Sequence, residues 1–75
     1  MQVLNLFPDE FKKGYVAYKS GKLSTGKSMF DRDCGWWMLE PQNTVKFSFS
    51  NGGNGAVDMP LFINAIPAIL DLDAA

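Results

Sequence analysis

The stretch TVKFSFS (Thr44–Ser50) carries the strongest secondary-structure signal in the chain. Its apolar residues alternate strictly with polar ones, which is the period of a β-strand with one face buried and the other in water. A turn at residues 40–43 precedes this strand, and the glycine-rich turn Asn51–Gly55 ends it. Because a half-buried strand needs neighbouring strands and a covering layer, the rest of the sequence is interpreted around an antiparallel sheet.

Further strands are predicted upstream of this stretch. Trp36–Leu39 is continuously apolar, and as a strand it would direct Trp36 and Met38 to one face and Trp37 and Leu39 to the other. A turn at residues 31–33 separates it from a shorter strand. Aromatic and β-branched residues bounded by glycine, or a short apolar run, predict strands at three other places: Lys27–Phe30, Tyr15–Lys19 and Val3–Phe7.

Helical signals lie near both ends of the chain. Pro8–Gly14 has proline near its first position, acids in its first turn and lysines in its last, which predicts one or two helical turns ended by Gly14. Near the C-terminus, Asp58 is a candidate N-cap for a helix over Leu61–Leu72. We expect that helix to be kinked at Pro67; the alternative is two short helices broken at Ile66.

The apolar arc of this C-terminal helix is unusually wide. At helical spacing its interruptions form one narrow stripe, which we expect to face solvent: Pro60, Asn64, Pro67 and Asp71. The remaining arc spans roughly 220°, whereas a surface helix usually buries a stripe of about 100° or more. One sheet cannot cover so wide an arc, so we predict a homodimer interface formed by Leu61, Ala65, Ala68, Ile69 and Leu72.

These elements predict an α+β fold in a single small domain, residues 1–75. Three to five short antiparallel strands carry the C-terminal helix on one face, and the short N-terminal helix lies at the edge. The order of strands followed by a helix resembles that of some small dimeric single-strand-binding proteins.

The composition argues against catalysis. The 75 residues contain no histidine and one cysteine, Cys34, so an intramolecular disulfide and His-dependent nucleophilic catalysis are excluded. We therefore expect no enzyme activity, metal or cofactor. Neither a membrane span nor a signal peptide is evident, and a free cysteine without a disulfide framework favours the cytoplasm.

One motif suggests phosphate chemistry. Gly21–Ser28 reads GKLSTGKS and matches the P-loop pattern, in which backbone N–H groups and a lysine bind phosphates. The P-loop requires a helix directly after this sequence, and the residues that follow are too short and too broken to supply one. A flexible hairpin tip is the better interpretation.

Charge is distributed unevenly along the chain. The net charge is −1, but residues 1–32 carry six of the seven basic residues. Basic and aromatic residues alternate in this half, a pattern typical of proteins that hold single-stranded nucleic acid. The candidate residues for that alternative are Lys12, Lys13, Tyr15, Tyr18, Lys19 and Lys22. The acidic pI of about 5.0 argues against it.

The function that the sequence favours is a non-catalytic protein-binding module, an inhibitor or regulator of a larger protein or complex. Tryptophan dominates binding hot spots, and lysines in a flexible loop complete the predicted interface: Trp36, Trp37, Lys22 and Lys27. A tiny acidic chain without histidine or disulfides resembles the accessory proteins of phages and mobile elements, which implies a host-cell cytoplasmic setting.

Overall fold

The computed structural model describes residues 3–71, and for Val3 it describes the backbone alone. Two helices precede a four-stranded sheet, and a final helix follows it. The elements are α1 (Val3–Leu6), α2 (Pro8–Lys19), β1 (Ser28–Asp31), β2 (Gly35–Glu40), β3 (Thr44–Phe49), β4 (Asn54–Asp58), a π-helical segment (Leu61–Ala65) and α3 (Ile66–Ile69). The predicted α+β class is confirmed.

The sheet is an antiparallel meander in which the strands lie in chain order, from β1 to β4. Its register pairs Trp37 with Met29 on one side and with Phe47 on the other. Side chains therefore alternate between an inner face and an outer face along every strand. The strands predicted around Thr44–Ser50 and Trp36–Leu39 are confirmed, and so is the division of their residues between two faces.

The helices pack on the inner face, where aromatic rings fill the core. Phe11 of α2 contacts Phe47 and Phe49 edge-on, with ring centroids 4.9 and 5.2 Å apart. Phe62 of the C-terminal helix meets Tyr15 of α2 at 5.8 Å, so the two helices also pack on each other. Within residues 3–71, the helices thus cover one side of the sheet only.

The N-terminal part of the chain is helical where strands were predicted. Val3–Phe7 and Tyr15–Lys19 were both expected to be strands, but the first contains α1 and the second belongs to α2. The error over Tyr15–Lys19 arises at Gly14, which was interpreted as a helix end. It lies inside α2, over the indole of Trp37, and a Cβ built there would stand 2.5 Å from Trp37 Nε1. Glycine is needed for close approach, and tertiary packing overrides its low helix propensity.

This longer α2 changes the architecture in two respects. The N-terminal helix lies on the inner face of the sheet and not at its edge, and helices precede the strands as well as follow them. The analogy with a strands-then-helix order therefore fails. β4 was missed as well, because its residues Asn54 and Gly55 were assigned to a turn and only Val57 of this strand is buried.

The C-terminal helix runs unbroken past Pro67. Ile66 keeps α-helical backbone angles (φ −57°, ψ −46°), and its N–H donates to the carbonyl of Leu61, five residues back. This widened turn accommodates Pro67, whose ring would clash with a carbonyl in a regular α-helix. The break at Ile66 does not occur. The prediction that Pro67 faces solvent was wrong, because it is buried.

Much of the wide apolar arc is covered within the protein. Phe62 and Ile66 are fully buried, and Leu61 and Ile69 pack partly against the core. Part of this cover comes from α2, whose Tyr15 and Tyr18 rings contact Phe62. Leu72, the last residue of the predicted dimer interface, lies outside the described residues.

Candidate binding surface

The outer face of the sheet bears an apolar cluster that none of the described helices covers. It consists of Phe30, Trp36 and Met38, which we call the outer aromatic patch. Phe30 is 73% exposed and lies directly opposite Trp36 in the register of β1 and β2. Trp36 and Met38 are half-buried at alternate positions of β2. Rings on directly opposed residues of a strand pair stand close enough to form one continuous surface.

The two adjacent tryptophans have different positions. Trp37 was predicted to contribute to an interface, but it is fully buried on the inner face, so that part of the prediction was wrong. Its Nε1 is buried beneath α2 without a hydrogen-bond partner. Trp36 alone reaches the surface. Sequence reasoning missed Phe30 as an interface residue, because its register opposite Trp36 depends on a turn at residues 32–34 and not at 31–33.

Polar residues of β3 lie beside the outer aromatic patch. Across the strand pair Lys46 lies opposite Met38, and Ser48 lies opposite Trp36. Lys46 Nζ forms a 3.5 Å salt bridge with Glu40. An apolar centre with polar residues at its rim is the usual anatomy of a protein-binding surface.

A groove lies on the other side of the sheet, between α2 and β1. We call it the α2–β1 groove; it has a volume of about 690 Å³. Its lining residues come mainly from α2 and from the inner side of β1: Asp9, Glu10, Lys12, Lys13, Val16, Ala17, Ser20, Lys22, Met29, Asp31 and Cys34. Val16, which is 56% exposed, and Met29 provide apolar walls.

One ion pair crosses this groove. Lys13 Nζ lies 3.6 Å from Asp31 Oδ2. The backbone N–H groups of Asp33 and Cys34 donate to Asp31 Oδ1, at 2.8 and 3.0 Å. These two hydrogen bonds, the first above all, lower the pKa of Asp31, and Asp31 in turn raises the pKa of Lys13.

Cys34 lies in the α2–β1 groove and is 7% exposed. Burial is the main cause that raises the pKa of its thiol, and Asp31 raises it further. Desolvation is the larger of these two causes. A thiol of this kind is a poor nucleophile near neutral pH.

The predicted nucleic-acid residues do not form one basic aromatic face. Lys12, Lys13 and Lys22 line the α2–β1 groove, whereas Lys19 lies beside a second groove between α2 and the C-terminal helix. Tyr15 is buried, and Tyr18 packs partly against the core. Among the described residues the one exposed aromatic ring, that of Phe30, is on the outer face of the sheet, opposite the helix that carries Lys12, Lys13 and Lys19.

The P-loop-like stretch forms the connection between α2 and β1. A strand and not a helix begins at Ser28, so the helix N-terminus that a P-loop requires is not formed. Lys27 is exposed immediately before that strand. Within residues 3–71, no three His, Cys, Asp or Glu side chains come together as a metal site. None of the described helices is long and apolar enough to cross a bilayer.

The described residues of the predicted dimer interface differ in exposure. Leu61, Ala65 and Ile69 are half-buried, and only Ala68 is exposed. Ala68 borders the second groove together with Ile63, which is 36% exposed. These residues offer a smaller apolar surface than the helical pattern suggested.

Comparison of the chain with models of protein families, with curated protein sequences and with solved structures returned no match. The functional argument therefore depends on the surfaces themselves.

Proposed function

We propose that this protein is a non-catalytic binding module that regulates or inhibits a larger protein by covering part of its surface with the outer aromatic patch. The observation that supports this proposal is the 73% exposure of Phe30 directly opposite Trp36, on a sheet face that the helices leave open. Aromatic and methionine side chains are enriched in protein interfaces, where they bury a large area at a low cost in conformational entropy. A cytoplasmic location belongs to the same proposal.

Single-stranded nucleic acid is the second candidate partner. Exposed rings on an open four-stranded sheet are an arrangement on which bases can stack. The charge distribution favours a protein instead, since Lys46 beside the patch is paired with Glu40 and the basic helix α2 lies on the opposite side. A polyanion gains most of its affinity from unpaired cations along its path.

The proposal is tested by comparing two exposed apolar residues. Phe30→Ser removes the most exposed ring of the patch, and Leu6→Ser changes a residue on α1 that is 57% exposed. We expect a partner captured from host lysate to be retained by the wild-type protein and by Leu6→Ser, and to be lost with Phe30→Ser. Both variants should keep the wild-type circular dichroism spectrum and melting temperature, because surface substitutions usually change stability by about 0.5 kcal/mol or less.

Two results would contradict the proposal. Equal capture by Phe30→Ser and the wild type would remove the outer aromatic patch as the binding surface. Binding of a labelled single-stranded oligonucleotide that weakens steeply with salt and is lost in Phe30→Ser would establish the second candidate instead. The homodimer predicted from the C-terminal helix stays a separate prediction, measured by light scattering over a range of protein concentrations.

A further inference from the structure

The first strand of the sheet lies at its edge. β1 pairs with β2 on one side, and in the described part of the chain no strand pairs with its other side. An edge strand presents backbone N–H and C=O groups that another chain can pair with. β1 therefore offers hydrogen bonds in a fixed direction, in addition to its side chains.

The α2–β1 groove borders this edge strand, since Met29 and Asp31 of β1 line it. Its lining extends along α2 from Asp9 to Ser20, a distance of about 17 Å at 1.5 Å per residue. An extended segment of about five residues has the same length at 3.3–3.4 Å per residue. A strand of this length added to β1 would therefore match the groove in length.

The side chains of β1 connect the groove with the outer aromatic patch. Phe30 points to the outer face, whereas Met29 lines the α2–β1 groove. An added strand also alternates its side chains between the two faces. One set would lie beside Phe30, and the other would enter the groove between Met29 and Val16.

The charges in the groove that lack a partner indicate what the segment should carry. Asp31 is engaged by Lys13, and Glu10 accepts a hydrogen bond from Asn51 Nδ2 at 2.8 Å. Three further lining charges form no salt bridge within the described chain, Asp9, Lys12 and Lys22, so the unpaired charge of the groove is basic on balance, and Lys22 lies at its end near Ser20. An acidic side chain directed to that end would complement Lys22.

We infer that β1 binds an extended segment of the partner protein as a fifth strand of the sheet, with an apolar side chain in the α2–β1 groove and an acidic side chain toward Lys22. This inference rests on the proposed function, because it specifies how the partner of the outer aromatic patch is held. Backbone hydrogen bonds would provide affinity, and the groove would provide specificity.

The probe for this inference is a library of random peptides displayed on phage, each long enough to span the groove, selected on the immobilised full chain. We expect the selected sequences to alternate apolar and polar residues and to carry an acidic residue at one end. With a selected peptide bound, amide hydrogen exchange in β1 should slow by about tenfold or more, because an added strand protects the amides that point away from β2.

Substitutions then locate the peptide. Val16→Glu should weaken binding by about tenfold or more, since it places a charge in the apolar part of the groove. Leu6→Glu is the matched control on α1 and should leave binding unchanged. Lys22→Glu should weaken binding as well, and a peptide whose acidic residue is replaced by lysine should recover it on this variant.

The outcomes separate this inference from the proposed function. Strand addition is refuted if the selected peptides bind without slowing amide exchange in β1, or if they bind Val16→Glu as tightly as the wild type. Loss of the lysate partner in Phe30→Ser would still support the outer aromatic patch in that case. Selected peptides that share no alternating, acidic pattern would also refute it. If the lysate partner is insensitive to Phe30→Ser but the peptides protect β1, the edge is the binding site and the outer patch is not.

Discussion

Trp36 and Trp37 are neighbours in the chain, yet they lie on the two faces of one sheet with different surroundings. Trp37 is fully buried between the sheet and α2, and its ring centroid lies 6.0 Å from that of Phe49. Trp36 is half-buried on the face without helices, opposite Phe30. The same residue type therefore stabilises the fold on one face and is available for binding on the other. The position of the helical layer determines which face is buried in the core and which face stays exposed.

Truncating the two tryptophans should separate the faces most clearly. Trp37→Ala removes a large buried ring, and losses of about 3–5 kcal/mol are usual for such changes. A domain of this size has a net stability of the same order, so we expect this variant to be largely unfolded. Trp36→Ala should cost about 1 kcal/mol or less and keep the fold. Urea denaturation followed by circular dichroism measures both free energies of unfolding.

Each tryptophan variant serves as the control for the other, because their losses in free energy of unfolding are expected to differ. Equal losses of stability would show that the outer face is covered in solution, and the distinction between a structural and an exposed tryptophan would fail. Trp37→Phe provides an intermediate case, because it removes the unpaired Nε1–H and keeps an aromatic ring in the core.

A second, smaller effect is expected where α2 crosses the inner face. Gly14→Ala favours the helix by about 1 kcal/mol, but its Cβ would collide with the Trp37 indole, which has no room to move. Overpacking of a filled core typically costs about 1–3 kcal/mol, so we expect net destabilisation. Denaturation of Gly14→Ala, Trp37→Phe and the double variant forms a double-mutant cycle.

In that cycle the smaller phenyl ring should relieve the collision. The double variant should therefore be more stable than the sum of the two single changes predicts. Strict additivity would mean that Gly14 is not in contact with the indole, and a stabilised Gly14→Ala would show that helix propensity outweighs packing at this position.

The particular residues show how far sequence reasoning reaches. Strict alternation in Thr44–Ser50 identified β3 and its faces, because a period of two has one structural interpretation. Tyr15–Lys19 has the aromatic and β-branched composition of a strand but is helical, because its buried residues pack against the sheet and the C-terminal helix. Local propensity cannot anticipate this packing, which depends on Trp37, twenty-three residues beyond Gly14.

The binding surface depends on tertiary packing in the same way. Trp36 was expected at an interface, but a single sequence could not decide which tryptophan would be covered, since that depends on the position of α2. The α2–β1 groove was not predictable either, because residues 15–19 were assigned to a strand. Once α2 is recognised as one helix, Lys12, Lys13 and Val16 fall along the side that faces β1.

The smallest expected effect on stability concerns Asp31, which lies at the edge of the inner face, beside the apolar core. Its pKa lies below the usual value of 3.8, mainly because the N–H of Asp33 donates to the carboxylate. The folded state stabilises the ionised carboxylate relative to the unfolded chain, so this stabilisation is present above pH 3.8 and is lost as the pH falls through the lower folded pKa.

Asp31→Asn should therefore reduce the acid sensitivity of the melting temperature, measured between neutral and strongly acidic pH. Lys13→Gln should reduce it less, because the salt bridge is the weaker of the two causes. If Lys13→Gln had the larger effect, the ion pair across the groove and not the turn at residues 31–34 would hold Asp31 in its ionised form.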